Sequence, residues 1–369
     1  KLHQSLPYHY SKFIISNQKS SFFFFQQTTM VVLSQPLVEN FSHIKTCKHN
    51  NTTSDHVYTG IIPVINLLDP EANNLIIKAC QEFGFFKVVN HGVSIETITK
   101  LENESINFFN LSQIEKDKVG PANPFGYGNK SIGSKGDVGW VEYLLFTTNP
   151  ELNHNKSITI PGNSLLFWGL VKEYISAIRN MGCMVLEMIA EGLKIEPKNI
   201  LSRMLSDEKS DSCFRLNHYP PCPELLQALS GRNLIGFGEH TDPQVISVGR
   251  SNNTSGLQIS LKDGTWISVP PDPNSFFINV GDSLQAMSNG RFTSVRHRVV
   301  VDSLKARVSM IYFGGPPLSE KIAPLSCLME EPNEQILYNE FTWSEYKTSA
   351  YKTRLGDNRL SLFEKNAQS

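Results

Sequence analysis

Gly236-Phe237-Gly238-Glu239-His240-Thr241-Asp242-Pro243-Gln244 is the stretch on which the reading of the fold turns. It sits in a region whose texture changes at Phe214. From there, short runs of Val, Ile, Phe and Thr alternate with turn-forming clusters such as Lys262-Asp263-Gly264, Val280-Gly281-Asp282 and Ser288-Asn289-Gly290. Short, evenly spaced strands of this kind predict a β-sandwich or barrel. If Glu239–Asp242 is a strand, His240 and Asp242 point to one face, because side chains alternate with period two. An imidazole and a carboxylate are then aimed at the same point.

The front half reads differently. Ile61–Ile65 is a short strand marked as an edge by Pro63. Asp69-Pro70-Glu71 predicts a helix start with Asp69 as N-cap, followed by an apolar stripe of Leu75, Ile76, Ala79 and Phe83. Phe85–Val89 reads as a strand. A helix is expected over about 94–110, and the longest over about 165–193, ended before Pro197. Helical character returns at 330–365. The division expected is 1–29, 30–210 (helices and strands), 211–330 (a catalytic β core) and 331–369 (a C-terminal helical segment).

Composition narrows the class. The chain has 369 residues, 40% hydrophobic and 19% charged, enough to bury a large core. With 34 basic and 35 acidic residues it carries a net charge of -1, so a nucleic-acid partner is not expected. No apolar run is long enough to span a bilayer, so no membrane partner is expected. Cys47, Cys80, Cys183, Cys213, Cys222 and Cys327 form no C-x-x-C pair, a pattern that suits reduced thiols in a cytoplasmic protein. Residues 1–29 are Ser-rich and acid-poor, as a plastid transit peptide is, but match no sorting class well and are read as non-native sequence upstream of a start at Met30; 42–59 reads as a flexible polar lead-in.

A second imidazole, His297, lies in the strand-like run Ser294–Val299. Two His and one carboxylate on one face form the facial triad of non-haem Fe(II) oxygenases, although a zinc hydrolase could use the same set. His91 and His218 read as structural. Further on, Arg307 and Ser309 share a strand face among Val308, Met310, Ile311 and Tyr312. A guanidinium in such an apolar setting needs an anionic partner, and with a hydroxyl beside it can grip a carboxylate in bidentate fashion. Tyr219 and Asn217 offer further polar groups. Triad and anchor together make 2-oxoglutarate the natural cosubstrate.

The chain also resembles the plant 2-oxoglutarate- and Fe(II)-dependent dioxygenases, and within them the gibberellin 2-oxidases acting on C19 gibberellins. Ala79–Gly92 (ACQEFGFFKVVNHG), Gly120–Lys130 (GPANPFGYGNK), Asp137–Leu145 (DVGWVEYLL), Asn217–Glu224 (NHYPPCPE), Gly236–Gln244 and Arg250–Ile259 (RSNNTSGLQI) carry the resemblance. It runs from about Met30 to Glu364, and residues 149–162 depart from the pattern. It implies an α+β, mainly β fold with a double-stranded β-helix (jelly-roll) core flanked by helices. By position it makes His240, Asp242 and His297 the iron ligands. Arg307 and Ser309 would hold the distal carboxylate of 2-oxoglutarate, with Tyr219 and Asn217 assisting. Ascorbate would serve as reductant and dioxygen as oxidant. The substrate implied is a C19 gibberellin, inactivated by 2-beta-hydroxylation. A compact terpenoid acid asks for an apolar pocket with one cationic or hydroxyl contact. Phe125, Tyr127, Trp140, Tyr143, Phe237 and Phe313 are the expected lining, and Lys130, Arg291 and Arg296 the candidates for the substrate carboxylate. The rivals are a related dioxygenase acting on a flavonoid or another hormone, a zinc-dependent hydrolase, and a binding protein without turnover. Oligomeric state is unknown from sequence.

Overall fold

Turn-punctuated short strands close into two sheets, and the long amphipathic helices pack outside them. The computed structural model describes residues 46–48, 62–132, 135–149, 158–223, 232–329 and 335–365; residues 1–29 lie outside these. In chain order the elements are β1 (Thr46–Lys48), β2 (Val64–Asn66), α1 (Ala72–Glu82), β3 (Phe85–Val89), α2 (Ile95–Phe109), α3 (Gln113–Asp117), β4 (Gly126–Ile132) and β5 (Asp137–Thr147). Then come α4 (Ser164–Gly192), α5 (Arg203–Ser206), β6 (Cys213–Tyr219), β7 (Arg232–His240), β8 (Ile246–Ser251), β9 (Leu257–Ser260), β10 (Trp266–Ser268), β11 (Phe276–Val280) and α6 (Asp282–Met287). The chain finishes with β12 (His297–Val300), β13 (Arg307–Gly314), β14 (Lys321–Ile322), β15 (Phe341–Thr342) and α7 (Trp343–Lys352), with short 3-10 turns near its end.

The larger sheet runs β2-β3-β11-β8-β13-β6-β5-β4 and the smaller β1-β7-β12-β9-β10. Apart from the parallel pair β2–β3, neighbouring strands are antiparallel. One apolar cluster joins the two sheets, with Tyr219 and Phe277 from the larger and Phe237, Ile259 and Val299 from the smaller. A second packs the outer face of the larger sheet against helices, bringing Leu216, Val248 and Met310 to Ile76, Leu101, Tyr174 and Ile178. The larger sheet draws strands from both sides of residue 210, so the helical front half and the β-rich back half share one sheet.

α4 buries Phe167, Leu170, Val171, Tyr174, Ile178, Met181, Val185 and Ile189 at spacings of three and four, and the Asn163 side chain caps its first turn by accepting from Leu166 N. Three details depart from the sequence reading. Asp69 does not cap α1: its carboxylate accepts from Glu71 N at 2.8 Å in the turn ahead of a helix that starts at Ala72. Leu75 faces solvent, and Ile77 and Cys80 take its place inside. The lead-in contributes a strand: β1 pairs antiparallel with Arg232–Leu234 and covers an otherwise open sheet edge.

Candidate metal and cosubstrate site

β12 lies antiparallel to β7 with His297 directly opposite His240, so the two imidazoles stand 4.2 Å apart by ring centroid. Asp242 arrives differently from the strand alternation expected. β7 ends at His240, and Asp242 sits in the following loop, where its carbonyl accepts from Asp282 N at 2.7 Å. The loop passes so close to Gly281 that a Cβ there would lie 1.8 Å from the Gln244 carbonyl oxygen.

The donor atoms are oriented for a shared ion. His240 Nδ1–H donates to the Gly238 carbonyl (2.8 Å) and His297 Nδ1–H to the Val295 carbonyl (3.2 Å), which turns both Nε2 atoms inward. Those Nε2 atoms lie 3.6 and 3.7 Å from Asp242 Oδ1, beyond hydrogen-bond length. One ligand atom from each of the three residues falls within 4.8 Å of the others. The other carboxylate oxygen, Oδ2, accepts from Ser247 Oγ (2.7 Å) and Asn279 Nδ2 (3.0 Å). Ser247 and Asn279 are themselves cross-strand partners on β8 and β11. Burial would push the Asp242 carboxyl up, but the His297 and His240 imidazoles and these two hydrogen bonds hold it below its usual range. Burial, and then the neighbouring His297 ring, push the His240 imidazole down to about 3. A neutral imidazole and an ionised carboxylate are the protonation states that metal ligation requires. This donor set fits Fe(II) with positions left open for further ligands.

The residues expected to hold a carboxylate lie deeper, between the sheets. β13 pairs with β6 so that Arg307 faces Tyr219 and Ser309 faces Asn217. Asn217 Nδ2 donates to Ser309 Oγ at 3.3 Å, and the Arg307 guanidinium stands 5.4 Å from the centre of the Tyr219 ring. Arg307 is 2% exposed, yet its Nε and Nη1 have no hydrogen-bond partner among the described residues. A buried guanidinium with idle donors costs several kcal/mol unless an anion answers it. One cavity brings His240, Asp242, His297, Arg307, Ser309 and Tyr219 together. These residues fit a dicarboxylate such as 2-oxoglutarate: metal ligands at one end of the cavity and a buried guanidinium with a hydroxyl at the other.

Above the triad opens a cavity of about 210 Å³. Phe125, Phe237 and Phe313 line it; the other three aromatics named from the sequence do not. Tyr127 turns into the core and donates to Glu142 Oε2 at 2.6 Å, where Lys116 Nζ and His218 Nδ1 also reach that carboxylate at 2.7 Å each. Trp140 Nε1 donates to the Pro220 carbonyl at 2.8 Å, bracing the turn after Tyr219. Tyr143 lies beneath Arg215 and donates to the Ser131 carbonyl. Each has a polar group that finds its partner away from the cavity, and that sets the ring's direction. The candidate cations are also displaced. Lys130, Arg291 and Arg296 do not line the cavity, and Arg296 binds Glu239 Oε1 (3.1 Å) and the Gly356 carbonyl (2.9 Å) instead. Sequence reasoning missed Arg215 on β6 and the C-terminal Lys347, Tyr351 and Arg359, all of which line it. α7 is latched there by Lys347 Nζ to both Asp211 carboxylate oxygens (2.8 and 2.7 Å) and by Trp343 Nε1 to Asp211 Oδ2 (2.7 Å).

Comparison with known proteins agrees with this chemistry. Residues 210–316 match the model of the 2OG-Fe(II) oxygenase superfamily, and residues 62–163 that of the non-haem dioxygenase in morphine synthesis N-terminal family. A gibberellin 2-beta-dioxygenase of Phaseolus coccineus is 61% identical over 92% of this chain and 99% of its own length. Gibberellin 2-beta-dioxygenase 1 of Pisum sativum is 58% identical with the same coverage. Among solved structures, JOX2 in complex with 2OG, Fe and JA superposes with a TM-score of 0.72 at 29% identity, covering 83% of this chain and 89% of that one. The rice dioxygenase for auxin oxidation, 22% identical with a TM-score of 0.67 over 82% of this chain and 100% of that one, shares the fold. The chain therefore belongs to the 2OG-Fe(II) oxygenase superfamily and, within it, to the gibberellin 2-beta-dioxygenases.

Proposed function

We propose that this protein hydroxylates C19 gibberellins at C-2 on the β face, and so inactivates them, using Fe(II), 2-oxoglutarate and dioxygen with ascorbate as reductant. The observation that carries the reading is the layering of the site: a His–Asp–His triad, an unanswered buried guanidinium below it, and an apolar cavity above it. Its close relatives bear the gibberellin name. A zinc hydrolase would leave Arg307 without a role. We place the protein in the cytoplasm on its cysteine pattern; among the described residues no helix is long and apolar enough to cross a membrane.

In this reading His240, Asp242 and His297 hold Fe(II), and Arg307 with Ser309 holds the distal carboxylate of 2-oxoglutarate. When bound, the metal and cosubstrate supply the oxidising power for C–H hydroxylation, as dioxygen is reduced and 2-oxoglutarate becomes succinate and carbon dioxide. The residues of the chain supply placement. Ser247 and Asn279 keep the Asp242 carboxylate turned towards the imidazoles. Asn217 and Tyr219 fix the floor beneath the cosubstrate. Phe237 and Phe313 line both cavities, so the reacting carbon meets a wall that excludes water. The test is incubation with Fe(II), 2-oxoglutarate and ascorbate against C19 and C20 gibberellins and two flavonoids, read by mass spectrometry. One oxygen added to a C19 gibberellin, only when 2-oxoglutarate is present, is the result expected. Oxygenation of a flavonoid instead would overturn the substrate.

A further inference from the structure

Resting on the gibberellin reading above, we propose that Arg215 receives the carboxylate of the substrate and so sets which terpenoid the cavity accepts. Arg215 lies on β6 two residues before Asn217 and lines both the outer cavity and the deeper one that holds Arg307. Its guanidinium is clamped: the Tyr143 ring lies 3.7 Å from it, the Phe237 ring 4.9 Å, and Nε–H donates to Asn217 Oδ1 at 2.7 Å. No carboxylate among the described residues pairs with it, and its buried Nη2 has no partner.

That combination is unusual for a structural arginine. A cation kept off water is answered by a carboxylate or by a ligand. Two aromatic faces and one amide oxygen hold this one in place while leaving Nη2 idle, a preorganised donor for a carboxylate. Three other cations stand on the outer wall: Lys347, which is held by Asp211, Lys135, and Arg359, whose buried Nε also lacks a partner, but none of the three lines the deeper cavity. Arg307 answers the cosubstrate. Among the described residues Arg215 is the lysine or arginine that lines both cavities, so an acid entering from outside meets it beside the triad, and its link through Asn217 to Ser309 ties the substrate contact to the floor of the cosubstrate site.

The experiment compares a C19 gibberellin free acid with its methyl ester, using the full chain with Fe(II) and 2-oxoglutarate. The wild type should prefer the acid, and Arg215→Gln should erase that preference, reducing the acid-to-ester ratio of kcat/KM by roughly 10- to 100-fold, the worth of a charge-assisted hydrogen bond. The loss should fall on KM more than on kcat. The ratio is the readout because a folding defect lowers both rates together. If Arg215→Gln turns over neither compound, Arg215→Lys decides, since a retained charge should keep an acid preference above one, though below the wild type because the stacked fork is lost. An unchanged ratio in Arg215→Gln, or in Arg215→Lys a ratio near one, overturns the assignment. A rise in the 2-oxoglutarate requirement with the ratio intact would move Arg215 to the cosubstrate site and also overturn it. If the wild type oxidises neither compound, the gibberellin reading falls, and this assignment with it.

Discussion

Removing one hydrogen bond from the carboxylate of Asp242 should weaken metal binding by about as much as that bond is worth. Asp242 Oδ2 accepts from Ser247 Oγ and Asn279 Nδ2, while Oδ1 faces both imidazoles. In Asn279→Ala the carboxylate is held by Ser247 alone and can swing about its last torsion. A hydrogen bond to a charged group contributes about 1.5–3 kcal/mol, and the metal-free protein should lose about that much stability. The metal must then order the ligand as it binds, and losing such an outer partner reduces affinity by about 10- to 100-fold. The assay is calorimetric titration of the metal-free protein with Fe(II) under anaerobic conditions, beside a thermal melt of the same sample. Ser247→Ala should move in the same direction, and the double variant should not be additive, because both donors serve one oxygen. An Fe(II) affinity within threefold of wild type in Asn279→Ala, despite a lowered melt, would refute the reasoning: the bond would then support the fold and not the ligand.

Two further outcomes follow from buried charges. Arg307→Ala should raise the 2-oxoglutarate concentration needed for half-maximal rate by at least about 10-fold, since a bidentate charged contact is lost; an unchanged concentration dependence in a steady-state titration would remove Arg307 as the anchor. Glu142→Gln strands Lys116, 1% exposed, and should destabilise the protein at neutral pH by about 3–5 kcal/mol. Burial would raise the Glu142 carboxyl, but the contacts from His218 and Lys116 hold it below its ordinary value of 4.5. Its contribution is therefore full above that value and lost as pH falls through the lower folded-state one, so the gap in melting temperature between wild type and Glu142→Gln should shrink in acid. A gap that widens as pH falls below 4.5 would contradict the sign.

The donor types were legible before the structure, but their supports were not. His240 with Asp242, and Arg307 with Ser309, stand out as pairs two residues apart in strand-like runs, and His297 as an imidazole in a third such run. Asp242 shows the limit of that logic: period-two alternation pointed the right way, yet the strand stops at His240 and the loop is placed by Asp282 N–H and the missing side chain of Gly281. Ser247 and Asn279 become visible only through the β8–β11 register, which no local pattern encodes. Arg215 gave no signal because its two aromatic neighbours come from β5 and β7. Tyr127 and Trp140 misled for the opposite reason. An aromatic side chain near a motif can face either way, and the partner of its hydroxyl or ring N–H, here Glu142 and the Pro220 carbonyl, decides. β1 was hidden because Thr46-Cys47-Lys48 is short and carries no alternating apolar pattern.

The central claim is that one dioxygen is divided between a gibberellin and 2-oxoglutarate at this site. Turnover of a C19 gibberellin under isotopically labelled dioxygen, with both products analysed by mass spectrometry, tests it most directly. The expected result is one labelled oxygen in the hydroxylated gibberellin and one in succinate, formed in equal amounts. A gibberellin product whose new oxygen comes from water, or one formed without succinate, would contradict it.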